Sequence, residues 1–416
     1  MTKAQSSIPA GDHFAEKIKG RMRILVVAPG FLPSIGGAEI GIHEIYRRLG
    51  QRHDVYILTP DLGPRQPAEG FDNSGYTILY YKDFLDLKKI RGKMIMQGII
   101  PPFSIGTVVA IHKQIAALQP DVVNTHFAAS TGLAAVWAQK IGRVPTVLSL
   151  IGRDAVPGPL VPRLWPWYSR LVAKNVQHTI FITHFCRSYR LHDNFSWSVI
   201  PYGADIQAIQ PQADGTKLRS TLGLPPNVSV LFSLQRLHPI KRVDILIECV
   251  KCLVDRGVDD FVLLLGGKGS EAAKLNALVE KLGIQAYVSF LGYVSEDQVS
   301  DYFALADIFV FSSVFETFGI VLVQAMAAGI PIVAVDNSAI PEVVEDQVTG
   351  LLSPSLDPNL LADRVQQLLE NRALRVEMGQ RARENAEKLY DWDKIALQYE
   401  QTLTEVVVQS ENVQAR

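Results

Sequence analysis

Chemistry at a phosphate needs fixed positive charge, and one stretch supplies it: Gln235-Arg236-Leu237-His238-Pro239-Ile240-Lys241-Arg242. Three cations fall within seven residues, directly after the apolar run Val228–Leu234. Open α/β sheets bind ligands at the carboxyl ends of their strands. Arg236 and Lys241 placed there can grip a diphosphate through charge-assisted hydrogen bonds. The competing reading is a solvated surface loop. Two glycine turns also close apolar runs: Gly30 to Gly37 near the start of the chain, and Gly266-Gly267-Lys268-Gly269. Such turns let backbone N–H groups approach an anion. The G-x-G-x-x-G and G-x-x-x-x-G-K-[ST] spacings are absent, which argues against a dinucleotide dehydrogenase and a P-loop NTPase.

The segment Phe315-Glu316-Thr317-Phe318-Gly319-Ile320 is read as a strand-to-helix loop that puts Glu316 at the same edge. Gln324, eight residues on, is polar in an otherwise apolar helix. A buried amide costs free energy without a partner. Either Gln324 lies on an exposed face or it meets a ligand, and its apolar neighbours favour the ligand. His126, in Asn124-Thr125-His126-Phe127, reads equally as a ligand contact or as a strand-end residue satisfied by backbone. No Asp-x-Asp of the kind that holds a divalent ion at a diphosphate is apparent, so fixed cations are expected to do that work without a metal.

These loops need strands and helices to hold them. Short β-branched runs recur at Ile24–Ala28, Val55–Thr59, Thr77–Tyr81, Asp121–Thr125, Thr146–Leu150, Thr179–Thr183 and Ser198–Pro201. A second set follows at Val228–Leu234, Phe261–Leu265, Val288–Leu291, Ile308–Ser312 and Pro331–Val335. Nearly continuous apolar runs are what parallel strands buried on both faces look like. Helical periodicity falls between them: Ala38, Ile42, Ile45 and Leu49 share one face. The pattern predicts an α/β chain of two doubly wound, Rossmann-like domains facing across a cleft. The expected division is a flexible leader 1–20, a first domain 21–203, a linker 204–227, a second domain 228–390 and a last helix 391–416. That helix is amphipathic and can pack on either domain.

Composition sets outer limits. The 416 residues are 48% hydrophobic and 20% charged, which excludes wholesale disorder. Lys plus Arg number 41 against 42 Asp plus Glu, so the chain is not a strongly basic nucleic-acid binder. Its 3 cysteines exclude a disulfide scaffold and fit a reducing cytoplasm. Cys249 and Cys252 form a single C-x-x-C within a helical pattern and are expected to be structural. The first 20 residues lack the apolar core of a secretory signal, and no run approaches the ~18 apolar residues of a membrane span.

Taken together, the motifs resemble the family-four (group 1) retaining glycosyltransferases of the GT-B fold, across nearly the whole chain from Met22. The carriers are Gly36-Gly37-Ala38-Glu39, Arg236 with Lys241, Gly266 to Gly269, and Glu316-x-Phe318-Gly319 running into Ala325-Met326-Ala327-Ala328-Gly329-Ile330-Pro331. Ile200-Pro201-Tyr202-Gly203-Ala204-Asp205 matches the family's domain-crossing turn. Pro341-Glu342-Val343-Val344 and Thr349-Gly350-Leu351 match its later signature.

The resemblance implies a UDP- or GDP-sugar donor held by the second domain and a glycan, lipid-linked or small-molecule acceptor held by the first. Arg236 and Lys241 then bind the diphosphate, and Glu316 takes sugar hydroxyls. Backbone around Phe318, Gly319 and Ile320 reaches sugar and phosphate, with Gly37 and Gly267 lining the same donor site. Gln324 faces the ribose, and Tyr293 and Val294 lie near the base. His126, Arg153 and Asp154 fall on the acceptor side, and the last helix returns to the first domain. The family usually has a second glutamate where this chain has Gln324, and commonly a histidine where it has Ile151. The implied reaction is retaining hexosyl transfer by front-face substitution. A nucleotide-sugar epimerase or a non-catalytic nucleotide-sugar-binding subunit are the alternatives. Leu85 to Met96 and Arg163 to Tyr168 read as a peripheral contact with an anionic membrane or as an ordinary acceptor loop and core aromatics.

Overall fold

A computed structural model of the chain describes residues 20–31, 36–61, 74–82, 105–152, 156, 165–188, 195–211 and 215–414. Within these, thirteen strands form two sheets. The first contains β1 (Arg23–Val27), β2 (Asp54–Pro60), β3 (Thr77–Tyr81), β4 (Val122–His126), β5 (Thr146–Leu150), β6 (His178–Phe181) and β7 (Trp197–Val199), in the order β3-β2-β1-β4-β5-β6-β7. The second contains β8 (Ser229–Leu234), β9 (Phe261–Gly266), β10 (Val288–Gly292), β11 (Ile308–Phe311), β12 (Ile332–Val335) and β13 (Gly350–Ser353), in the order β10-β9-β8-β11-β12-β13. Every pairing between these strands is parallel. β4, β5, β9, β11 and β12 are buried at every residue, as strands covered on both faces must be.

Both sheets reverse direction beside their first strand: between β1 and β4, and between β8 and β11. A crevice opens at such a switch point. The Gly36–Gly37 turn follows β1 and the Arg236–Lys241 loop follows β8, so the fold sets both at the crevice edge.

Two departures from the sequence pattern stand out. β13 was not anticipated: Gly350-Leu351-Leu352-Ser353 is only four residues and carries a glycine, and its identity comes from pairing with β12. The stretch expected to be a linker contains the helix Thr216–Thr221, which packs on helix Glu296–Leu305.

The helix Trp392–Gln414 packs on helix Gly37–Leu49 of the first domain. Trp392, Ile395, Tyr399 and Leu403 are buried there. Polar pairs flank this stripe: Arg48 Nε to Asp393 at 2.5 Å, Arg52 to Glu400 at 2.6 Å, and His53 Nε2 to Glu400 at 2.8 Å. The bond from His53, more than the Arg52 charge, holds the Glu400 carboxyl below its usual range. Where the chain crosses between domains, Ala204 N donates to Tyr390 O at 2.9 Å, so the two crossings lie side by side.

Candidate functional site

The loops after β8, β9 and β10 are joined by backbone hydrogen bonds. Gln235 N donates to Gly266 O at 3.0 Å, Leu237 N to Lys268 O at 3.0 Å, and Gly267 N to Gly292 O at 2.6 Å. Gly267 has φ +134°, and a β-carbon there would fall 1.9 Å from Gln235 O. Only glycine lets these strands end so close together. The result presents Arg236 outward and exposed, while Gln235 and Leu237 on either side are buried.

His238 Nδ1 accepts from Ile240 N and caps the short turn Pro239–Lys241. That turn aims Lys241 at Glu316, and the two form an ion pair with side chains only 21% and 12% exposed. Lys241 Nζ also sits 5.5 Å from the Phe311 ring centroid. The two residues to which the resemblance assigns phosphate and sugar hydroxyls are thus in direct contact with each other. Arg242, the third cation of the stretch, is instead engaged in a bidentate pair with Asp244 at 2.9–3.1 Å.

The Glu316 loop is fixed from behind. Glu316 N donates to Ser338 Oγ at 2.9 Å, and Ala339 N donates to Glu316 O. Gly319, at φ +91°, caps the helix Ile320–Ala327. Phe318 is buried between Tyr202 and Tyr390, with ring centroids at 6.3 and 5.7 Å. Its side chain therefore wedges the domain crossing, leaving only its backbone for a ligand. Gln324 lies in the buried part of the helix, 7% exposed. Tyr293 is 55% exposed, 5.6 Å from Lys268 Nζ, and open to a ligand. Val294, expected beside the base, is buried under Gly266.

Across the crevice, Gly37 faces Ile320: a β-carbon on Gly37 would stand 3.5 Å from Ile320 Cδ1. Glu39, in the same turn, has its carboxyl raised by burial, and the positive charge of Arg236 acts in the opposite direction. The domains also bond directly. Thr317 Oγ1 donates to Ile151 O at 3.1 Å, and Thr317 O accepts from Thr183 Oγ1 at 3.0 Å and Cys186 Sγ at 3.6 Å. Glu342 accepts from the N–H groups of His184, at 2.7 Å, and Phe185. Thr317, Thr183, Glu39 and Glu342 were not singled out as site residues. Glu39 and Glu342 lie in motifs that carry the resemblance, which gave them no role of their own, and neither threonine has a distinctive spacing.

On the first domain's edge, His126 needs correction. It is fully buried, with Nε2 3.0 Å from Tyr46 Oη, and Nδ1 has no partner among the described residues. Desolvation lowers its pKa to about 3, so it is a neutral core imidazole and offers no surface to an acceptor. Arg153, Asp154 and the stretch Leu85 to Met96 lie outside the described residues. The aromatic cluster divides: Tyr168 is buried and Trp167 is 62% exposed. Asp391-Trp392-Asp393 does have Asp-x-Asp spacing, but Asp393 pairs with Arg48 and Asp391 Oδ1 accepts from Asp393 N, so it is helix-end structure. Cys249 is buried, and burial pushes its thiol up, against reactive use.

Comparison with known proteins adds family evidence. Residues 214–385 match the group 1 glycosyl transferases, and residues 35–208 match glycosyltransferase family 4. The chain is 27% identical over 391 residues to an N-acetyl-alpha-D-glucosaminyl L-malate synthase of Bacillus anthracis, covering 91% of this chain and 97% of that protein. In structure it is similar to sucrose-phosphate synthase from Thermosynechococcus elongatus, with a TM-score of 0.79 at 20% identity over 94% of this chain and 100% of the other. It is also similar to the HepE protein of Anabaena, solved in complex with UDP and glucose, with a TM-score of 0.76 at 20% identity over 92% and 100%. At these identities the structural likeness shows the fold, GT-B.

Proposed function

The chain belongs to the group 1, family-four glycosyltransferases, and from that premise we propose that it moves a hexose-type sugar from a UDP- or GDP-sugar to an acceptor hydroxyl, with retention and without a metal. The observation that carries this is the Lys241–Glu316 pair beside exposed Arg236, all at the carboxyl edge of the second sheet. A diphosphate entering there offers Lys241 a more highly charged partner than Glu316. Glu316, released, is free to accept from sugar hydroxyls. Arg236 and Lys241 then stabilise the charge that grows on the leaving phosphate as the C1–O bond breaks. The acceptor oxygen forms its bond to C1 on the same face, and its proton passes to the departing phosphate oxygen.

The acceptor is a hydroxyl compound held against the first domain: a glycan, a lipid-linked sugar or a small molecule. A panel of UDP- and GDP-hexoses, scored for slow hydrolysis and for thermal stabilisation, tests the reading. One donor class should raise Tm and turn over, in the presence of EDTA as in its absence, and the product should keep the donor's anomeric configuration. Stabilisation without turnover points to a binding subunit. No stabilisation by any donor overturns the proposal, and loss of turnover in EDTA overturns its metal-free part.

A further inference from the structure

We propose that the outer face of the first domain docks on an anionic lipid surface. Three helices build this face: Ile105–Leu118, Leu133–Gly142 and Trp165–Ala173. The first two pack on each other and cover the same apolar layer, which includes Ile111, Ile115, Ala134 and Ala135. The third packs on residues 128–132, where a β-carbon on Gly132 would come 2.8 Å from Val172 Cγ1.

Each helix turns one i, i+4 pair of large apolar side chains to the outside: Ile105 and Val109, Trp137 and Ile141, Trp167 and Leu171. Residues so spaced lie one above the other on a helix. These six make up half of the twelve exposed large apolar side chains among the described residues. Scattered exposed apolar residues need no explanation, but a concentration on one face does.

The charges on the face decide what it meets. None of the three helices contains an Asp or Glu. Exposed Lys113 and Lys140 lie on these helices, and exposed Arg143 and Lys174 directly follow two of them. Cations on and just after the helices that carry Trp, Ile and Leu match the headgroup region of an anionic bilayer, where indole rings are favoured and basic side chains meet lipid phosphates. A second copy of the chain fits poorly, because a two-fold pairing would set like-charged helices against each other with no Asp or Glu on those helices to answer them. No helix among the described residues is long and apolar enough to cross a membrane, so the contact is peripheral.

The full chain should be floated with vesicles of phosphatidylcholine alone and of an equal mixture with phosphatidylglycerol. Recovery with the mixed vesicles should be about tenfold higher and should fall with added salt. The double variant Trp137→Ser/Ile141→Ser should lose about tenfold in vesicle binding, whereas Val376→Ser, on an exposed position of the second domain, should lose nothing. Both variants change exposed side chains, and unchanged Tm and nucleoside-diphosphate binding confirm that each is folded and separate this test from that of the transferase reading. Equal recovery on both vesicle types, or full binding by the double variant, overturns the proposal. So does concentration-dependent self-association that the double variant abolishes, since that makes the face an interface between copies.

Discussion

The carboxyl edges of the two sheets share one strand order and carry different chemistry. The second edge gathers Arg236, Lys241, Glu316 and a glycine-bound triplet of loops. The first edge offers the Gly37 turn, the Ile151 carbonyl and a neutral, buried His126. The scaffold fixes where loops emerge, and the loop residues decide what each edge can hold. Fixed cations and close backbone suit a substrate part with constant charge. The described part of the first edge, mostly backbone and apolar groups beside the Glu39 carboxyl, suits a partner that varies. Four experiments can break or sharpen this contrast.

The largest effect is expected at Gly267, on which the second edge is built. Gly267→Ala meets both a disfavoured φ and the Gln235 carbonyl at 1.9 Å. It should cost roughly 3 kcal/mol of stability and abolish tight nucleoside-diphosphate binding. Thermal melts and calorimetry measure both. A variant that keeps its Tm and affinity would show that the three loops are not held as a unit.

Next come the cations. Arg236→Ala and Lys241→Ala should each lower kcat/KM by on the order of a hundredfold, as loss of an electrostatic stabiliser does. Arg242→Ala, whose side chain is paired with Asp244, should lower it far less. If all three behaved alike, bulk positive charge and not geometry would explain the site.

Those three arginine and lysine positions also show what was legible in the sequence. The spacing announced a cation cluster after a strand, and the strand was easy to see because buried parallel strands are apolar throughout. Arg236 and Lys241 are already singled out there; what spacing could not show is where the neighbouring cations find their partners. Arg242 finds Asp244 two residues on, whereas Lys241 finds Glu316 across 75 residues of chain, a distance that only the fold closes. His126 misled for a related reason. A histidine at a strand end is ambiguous until Tyr46, 80 residues away, is seen against it. β13 was missed because four residues with a glycine carry no period of their own.

The buried state of His126 has its own consequence. Its folded pKa is about 3, and the unfolded chain takes up the proton near 6.5. Below pH 6.5 the unfolded state binds more protons than the folded one. This contribution therefore leaves stability intact above that pH and erodes it as pH falls toward the folded value. Between pH 7 and 5 the loss from this one group is about 2 kcal/mol. His178, lowered to about 4 by burial, acts in the same direction. His126→Gln should flatten the acid dependence of ΔG, read from urea melts across that range, while wild type keeps the steeper slope. An unchanged slope would place His126 in contact with solvent, and return it to the list of acceptor-side candidates.

The smallest effect tests how the two edges are joined. Thr317→Val keeps size and shape but removes the Oγ1 donor to Ile151 O, while Thr317 O still accepts from Thr183 and Cys186. Such a bond is worth ~1 kcal/mol net. It exists only while the edges face each other, so its loss should lower the share of molecules with the crevice assembled. If the second domain alone holds the donor, as proposed, donor binding does not need that bond. The expected outcome is therefore about a fivefold fall in kcat/KM with an unchanged Kd for nucleoside diphosphate. Thr183→Val removes a donor to the same residue from the other strand end. The two substitutions act on one contact, so the double variant should cost less than the product of the single effects. Steady-state kinetics beside calorimetry separates the cases. A Kd that rises in step with the fall in kcat/KM would mean that Thr317 shapes the Glu316 loop itself, and that the second edge is complete without the first.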